Sequence, residues 1–221
     1  MAPTPPLFAT VPCLWPGETI TCVASGWSLT PTDLAAIRGQ TRVIVVNDCY
    51  RLAPWADVLY AADAPWWQRQ QHVPDDCLPD RLYTLDSISK EYRPSVNVLR
   101  YMRGQGLAAQ PDRLISGGHS GYQAIGLAAH LVGDGGTILL LGYDCQLGPR
   151  GETHCPLLPV PSDVVDRRYR YRRKYGLWRT TYDDLVEPLA ARRISILNCS
   201  RRTAVTAFTR VSLSSALIAC R

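Results

Sequence analysis

Lysine is nearly absent. Lys90 and Lys174 are the only two in 221 residues, so the formal charge of +5 rests almost wholly on arginine. An excess of that size permits an anionic ligand without identifying one. No apolar run approaches the roughly 20 residues that a membrane span requires. The opening residues, MAPTPPLFATVP, set no basic segment ahead of an apolar core, so no secretory signal is expected. Residues 1–18 read as a proline-stiffened arm, residues 19–221 as one domain, and the cytoplasm is the expected location. The eight cysteines (Cys13, Cys22, Cys49, Cys77, Cys145, Cys155, Cys199 and Cys220) never fall into C-x-x-C spacing. That argues against structural zinc and, without a secretion signal, against a disulfide framework. Also missing are G-x-G-x-x-G, a Walker loop, a helix-turn-helix reader, internal repeats, low-complexity tracts and any acidic cluster.

What is present centres on Thr19 to Leu34, TITCVASGWSLTPTDL. Ile20, Cys22, Val23 and Ala24 form the short apolar run of a buried strand. Ser25-Gly26 ends it, with Gly26 free to take a positive φ. Thr30 is then a helix N-cap, Pro31 fits the first helical position and Asp33 the third. A strand, a tight turn and a helix start point backbone N–H groups at one spot. Such a turn either holds a phosphate or carboxylate or binds nothing.

The helix should end near Arg38-Gly39, and RVIVVN (Arg42 to Asn47) reads as the next buried strand. DVLYAAD (Asp57 to Asp63) follows, then a short helix from Pro65 carrying Trp66 and Trp67, then RLYTLD (Arg81 to Asp86). Ser87 to Gln110 reads as a turn and irregular helix. DRLIS (Asp112 to Ser116) runs into Gly117-Gly118-His119-Ser120-Gly121 and a helix, Tyr122 to Val132, with Ala124, Leu127, Ala128 and Leu131 on one face. TILLL (Thr137 to Leu141) delivers Gly142-Tyr143-Asp144. Gln146 to Ser162 is a loop long enough to be a lid. A helical stretch from Asp163 to Arg192, broken at Gly176, a last strand at Ile194 to Leu197, and short closing helices from Thr203 to Cys220 complete the chain.

Strands alternating with helices at this spacing predict an α/β fold: a single doubly wound, mostly parallel sheet covered on both faces. In such a sheet the ligand crevice lies beyond the carboxyl ends of the strands. Ser25, Asn47, Asp63, Ser116 and Asp144 all fall there, although Asn, Asp and Ser also favour turns for their own sake.

The segments CVASGWSL, VIVVND, ADVLYAADAPWW, ISGGHSGYQAIGLAAHL, ILLLGYDCQ and ISILNCSRRTAVTAF resemble a group of small phage-type proteins over nearly the whole chain. At the strand ends alone, the chain is similar to the Rossmann-like family-42 sialyltransferases and the MptE-like pterin diphosphokinases. The resemblance implies a nucleotide-sugar-dependent glycosyltransferase acting on a glycan or modified nucleic acid, in the host cytoplasm if phage-encoded. It implies that Ser25 and Gly26 underlie the nucleotide and that Asn47 and Asp63 contact it. Ser116 and Gly117 would touch the donor, and Tyr143 would lie nearby; the Gly-rich turn itself adds Gly118, His119 and Ser120 as candidate ligand contacts. Gly142 and Asp144 would form a Gly-x-Asp strand end, and the expected catalytic residues are Asp144 and His154, the latter as general base on the lid.

Other readings stay open. Asp63 and Asp144 suit Mg²⁺ bound with a diphosphate, which favours a nucleotide or pterin diphosphate-transfer enzyme; a non-catalytic nucleotide-binding module is a third possibility. Of the four histidines, His154 is either a base near neutral pH or an idle loop residue. His119 can donate to a phosphate, His130 reads as a surface or capping residue, and His72 has no evident partner. The basic run DRRYRYRRK (166–174) is either a weak nucleic-acid contact or the solvated side of a helix. In the second case Val164, Tyr171, Tyr175 and Trp178 form an aromatic seam packed on the sheet.

Overall fold

Each β-branched run becomes a strand, and the strands lie side by side in one parallel sheet. The structure, a computed structural model, describes residues 8–70, 81–85, 96–159 and 167–220. The strands are β1 (Thr19–Val23), β2 (Arg42–Val46), β3 (Val58–Tyr60), β4 (Arg81–Leu85), β5 (Asn97–Met102), β6 (Arg113–Ile115), β7 (Thr137–Leu141) and β8 (Ser195–Asn198). The helices are α1 (Pro31–Ile37), α2 (Ala64–Arg69), α3 (Ser120–Val132), α4 (Arg167–Thr181), α5 (Asp183–Ala191) and α6 (Leu213–Ala219). Strand order is β6-β5-β4-β3-β2-β1-β7-β8, and every pairing is parallel. The order therefore turns back at β1, between β2 and β7.

The two-residue period of the strands divides the core into two layers. Ile20, Cys22, Ile44, Val46, Ile138 and Leu140 face α3 and α5, where Ala124, Leu127, Ala128, Leu131, Leu185 and Leu189 meet them. Val23, Val43, Val45, Leu139 and Leu141 face the other way, onto Leu34 and Ile37 of α1, Trp66 and Trp67 of α2, and Ala216 of α6. Covering both faces is what an all-parallel sheet requires. From residue 8 the arm lies against the α3 layer. Val11 and Trp15 are buried, and the N–H of Trp15 donates to the Leu131 carbonyl at 3.0 Å.

Several details differ from the sequence reading. Within Ser87 to Gln110, residues 97–102 form strand β5, and residues 87–95 lie outside the described set. Arg100, Tyr101 and Met102 are exposed, so β5 lacks the apolar run of an inner strand. The long helical stretch runs through Gly176 without a break and divides at Tyr182, the buried residue between α4 and α5. Among the described residues, one helix, α6, closes the chain. His130 is buried in α3, where burial and the nearby Arg192 push its pKa down to about 4. His72, Cys77, Asp86 and Val164 lie outside the described residues.

Candidate functional site

Thr30 opens α1 as expected. Its hydroxyl accepts from the N–H of Asp33 at 3.3 Å, and the Asp33 carboxylate accepts the Thr30 N–H at 3.0 Å, a closed capping box. Arg201 Nε adds contacts of 3.1 and 2.9 Å to the same carboxylate. The protein's own anion thus occupies this helix start.

Gly26 does not adopt a positive φ. It is glycine for another reason: a Cβ there would strike the Gly142 carbonyl oxygen and lie 2.5 Å from Asp144 Oδ1. The left-handed turns stand at Gly117 (φ 50°), Gly118 (φ 86°) and Gly142 (φ 70°), and at Asn47 (φ 50°), a residue type that tolerates this region.

The open helix start belongs to α3. His119 is its N-cap, with Nδ1 accepting the Tyr122 N–H at 3.3 Å. Ser120 and Gly121 occupy the first turn, where backbone N–H groups have no partner within the helix. Beside them, at the carboxyl ends of β1, β2 and β7, lies a cavity of about 230 Å³. Ser25, Gly26, Asn47, Asp63, Gly118, His119, Ser120, Tyr143, Asp144 and His154 all line it. The folded chain therefore gathers ten of the twelve residues singled out in the sequence. Ser116 and Gly117 stand behind the wall. The Ser116 carbonyl accepts from Gln123 Nε2 at 2.8 Å, the Gly117 N–H donates to the Gly104 carbonyl at 3.0 Å, and the Tyr122 ring fills the space beside Gly117.

Two polar atoms in this wall are buried with no partner in the chain, Asn47 Oδ1 and His119 Nε2. Because Nδ1 of His119 accepts, the proton of the neutral ring belongs on Nε2, an unused donor. Burial pushes the pKa of His119 down to about 3, so the ring is neutral at physiological pH. Asp144 behaves otherwise. Oδ2 accepts the Ser28 N–H at 2.7 Å and Oδ1 the Ser28 hydroxyl at 2.8 Å, so both oxygens pin the turn after β1. Burial lifts its pKa to about 6 against the opposing pull of the two Ser28 bonds. The Tyr143 hydroxyl donates to the Gly121 carbonyl at 3.0 Å and is fully buried, which raises its pKa. Asp63 is exposed at the N-cap position of α2 and makes no capping bond.

Among the described residues no group of three or more His, Cys, Asp or Glu side chains has the geometry to hold a metal ion by itself, and both oxygens of Asp144 are engaged by Ser28.

The roof was not legible in the sequence. Tyr171, Lys174, Tyr175 and Trp178 of α4 line the cavity from above. The aromatic seam meets histidines and not the sheet: Trp178 lies over His119 with ring centres 4.8 Å apart, and Tyr171 stands edge-on to His154 at 4.8 Å. The Tyr175 hydroxyl donates to the Thr153 carbonyl, which ties the roof to the 146–159 loop. Lys174 Nζ sits 5.5 Å from the centres of both Tyr171 and Trp178. Arg170, Arg172 and Arg173 are exposed on the outside of the helix. The i, i+4 and i, i+7 spacing of Tyr171, Tyr175 and Trp178 marked the shared face; only the tertiary fold says what that face covers.

The site therefore belongs to a parallel α/β sheet of Rossmann-like architecture, with a crevice at the point where strand order reverses. Neither a family model nor a curated protein sequence matches the chain. No helix among the described residues is long and apolar enough to cross a membrane.

Proposed function

We propose that this protein is a nucleotide-sugar-dependent glycosyltransferase that works in the cytoplasm. The donor phosphate sits against the start of α3, and His154 takes the proton from the acceptor hydroxyl. The observation that carries the reading is the convergence of Ser25, Asn47, Asp63, Ser120 and His154 on one cavity beside the start of α3, where His119 caps the Tyr122 N–H but the Ser120 and Gly121 N–H groups have no partner within the helix. The free N–H groups of Ser120 and Gly121, the Nε2–H of His119 and the ammonium of Lys174 supply the positive field that a phosphate needs. Asn47 Oδ1 is an acceptor for a base or ribose hydrogen.

The step needs three groups in place. His154 accepts the proton as the acceptor oxygen bonds to the anomeric carbon, and the bond from that carbon to the nucleotide phosphate breaks. The leaving phosphate keeps the electron pair, and the α3 donors and Lys174 stabilise it. At about 230 Å³ the cavity is smaller than the roughly 300–1,000 Å³ typical of small-molecule sites. A nucleotide-sugar therefore requires α4 to swing outward and close again over the donor, excluding water. That extends the lid role from the 146–159 loop, the described part of the expected lid, to this loop together with α4. The arginines outside α4 suit weak phosphate contact with a nucleic-acid acceptor, and such binding should fade steeply between 50 and 200 mM salt.

A thermal-shift panel of CMP, UDP, GDP, ATP and the corresponding nucleotide-sugars, with and without Mg²⁺, tests the proposal. A ligand that binds the folded state raises the melting temperature by mass action. Selective stabilisation by one nucleotide and its sugar, without need for metal, supports it. Stabilisation by ATP only with Mg²⁺ would replace it with diphosphate transfer, and tight binding without turnover would replace it with a binding module.

A further inference from the structure

A second opening lies at the same strand ends, on the α1 and α6 side of the sheet. It holds about 1670 Å³, above the range of a single small-molecule pocket. Its wall carries three arginines, Arg201, Arg202 and Arg210, against one carboxylate, Asp33. That carboxylate is buried and already grips Arg201. Arg202 and Arg210 are exposed, and among the described residues neither pairs with a carboxylate. Arg210 instead donates one N–H to the Arg201 carbonyl, which holds it beside the other two. Trp27 lines the same groove, and its indole N–H is buried with no partner in the chain.

The groove and the smaller cavity share a partition. Asp144 lines the cavity, Ser28 lines the groove, and the two are joined by the 2.7 and 2.8 Å bonds. The Arg202 N–H donates to the Ser28 hydroxyl at 3.3 Å, so the arginine segment is fastened to that partition. A molecule resting on Arg202 thus lies next to the wall of the cavity.

We propose that this groove holds the body of the acceptor, an oligosaccharide bearing an oxyanion, either a carboxylate or a phosphomonoester, whose free end passes over the Ser28–Asp144 partition to reach His154. Guanidinium forks without a carboxylate partner bind two oxygens of a carboxylate or a phosphate at once, with charge-assisted bonds about twice as strong as neutral ones. An indole offers a flat apolar face to the C–H side of a sugar ring and one N–H donor for a hydroxyl. The volume suits several rings in a row. The role of acceptor rests on the glycosyltransferase reading; the binding of an acidic sugar does not.

Calorimetric titration with four probes tests this: a trisaccharide ending in glucuronic acid, the same trisaccharide ending in a glucose phosphomonoester, its neutral glucose-ended form, and the oligonucleotide dT10. At least one acidic trisaccharide should bind about 10-fold or more tightly than the neutral one, and the tighter of the two names the oxyanion. The R202Q/R210Q double variant should lose about 10-fold or more in affinity for it, and Trp27→Phe, which keeps a ring but removes the N–H, a few-fold. Equal binding of the neutral sugar, unchanged affinity in R202Q/R210Q, binding of dT10 alone, or binding of none of the probes would overturn the proposal. The nucleotide thermal shift, repeated on R202Q/R210Q, keeps the two readings apart. It should persist there, because those arginines lie outside the smaller cavity. Acidic-sugar binding through the arginines in a protein that no nucleotide stabilises would retain the groove as an acidic-sugar site and remove the donor assignment.

Discussion

Both ends of the sheet pair charges, Arg201 with Asp33 and Arg51 with Asp48 at the carboxyl ends, but they differ in what they leave buried without a partner. At the amino ends of the strands the charges pair off. Arg42 Nε reaches Glu18 at 2.9 Å, with Asp57 at 3.6 Å; Arg113 reaches Asp112 at 2.6 Å; Arg192 reaches Asp134 at 3.0 Å. Arg42 also stacks on Trp15 and Arg38 on Trp55. At the carboxyl ends, Asn47 Oδ1, His119 Nε2 and Trp27 Nε1 are buried without partners, and Asp63 caps nothing. A buried polar group left unsatisfied costs about 1–3 kcal/mol. Such a cost concentrated at one edge is what a ligand-binding edge looks like, whereas paired surface charges change stability by 1 kcal/mol or less. The exception at the amino side is His130 Nε2, also buried without a partner; the structure offers no physical account of it.

That contrast can be broken by substitution, and the largest effect should come at the base. His154→Ala is expected to lower kcat by about 10²- to 10⁴-fold while leaving nucleotide affinity nearly unchanged. Asn47→Gly should do the reverse. It keeps the left-handed backbone at φ 50° and removes the amide, so nucleotide affinity should fall by about 10-fold with the fold intact. Steady-state kinetics beside equilibrium titration separates the two, and comparable turnover in wild type and His154→Ala would remove the base assignment.

Next in size is Gly142→Ala. At φ 70°, with the Ala24 carbonyl where a Cβ would sit, the change combines a left-handed strain of about 1–3 kcal/mol with an overpacking cost of similar size. Urea unfolding should show a loss of about 3 kcal/mol or more. A loss under 1 kcal/mol would mean that the crevice floor can relax.

Asp144 gives a smaller effect with a definite sign. Its folded pKa of about 6 lies above the ordinary value near 3.9, so between about pH 4 and pH 6 the native state holds more proton than the unfolded chain. The stabilisation from the protonated form is complete below pH 4 and is lost as pH rises through 6, by about 2–3 kcal/mol. Asp144→Asn does not titrate, so the stability of wild type relative to this variant should fall over that window. A flat difference would show that solvent reaches the carboxylate.

The smallest effect belongs to the amino edge. Glu18→Gln should change stability by less than about 1 kcal/mol and turnover not at all, since the Arg42 pair is half-exposed. A larger loss would blur the distinction between the edges.

Much of this was legible beforehand because a parallel sheet writes its inner strands as β-branched runs. RVIVV and TILLL could be little else, and Thr30-Pro31 with Asp33 marked a helix start that the structure reproduces. The rule that ligands lie beyond the carboxyl ends then led to Ser25, Asn47, Asp63 and Asp144. Strand β5 escaped because NVLRYM carries exposed Arg100, Tyr101 and Met102 where an inner strand has apolar residues. Lys174, Tyr175 and Trp178 escaped as site residues because a helix's face is visible in its spacing, but what it packs against is not. Arg202 and Arg210 follow the last strand in a stretch without pattern, and only folding brings them to Trp27.

Hydrogen exchange, with and without the nucleotide that gives the largest thermal shift, measures the central claim most directly. The claim is that the α3 start and the α4 roof hold the donor. Bound nucleotide should slow exchange of the amides at Gly118–Gly121 and along α4, and leave those at Arg201–Arg210 unchanged. Protection confined to the amino edge, or none at the start of α3, would contradict it.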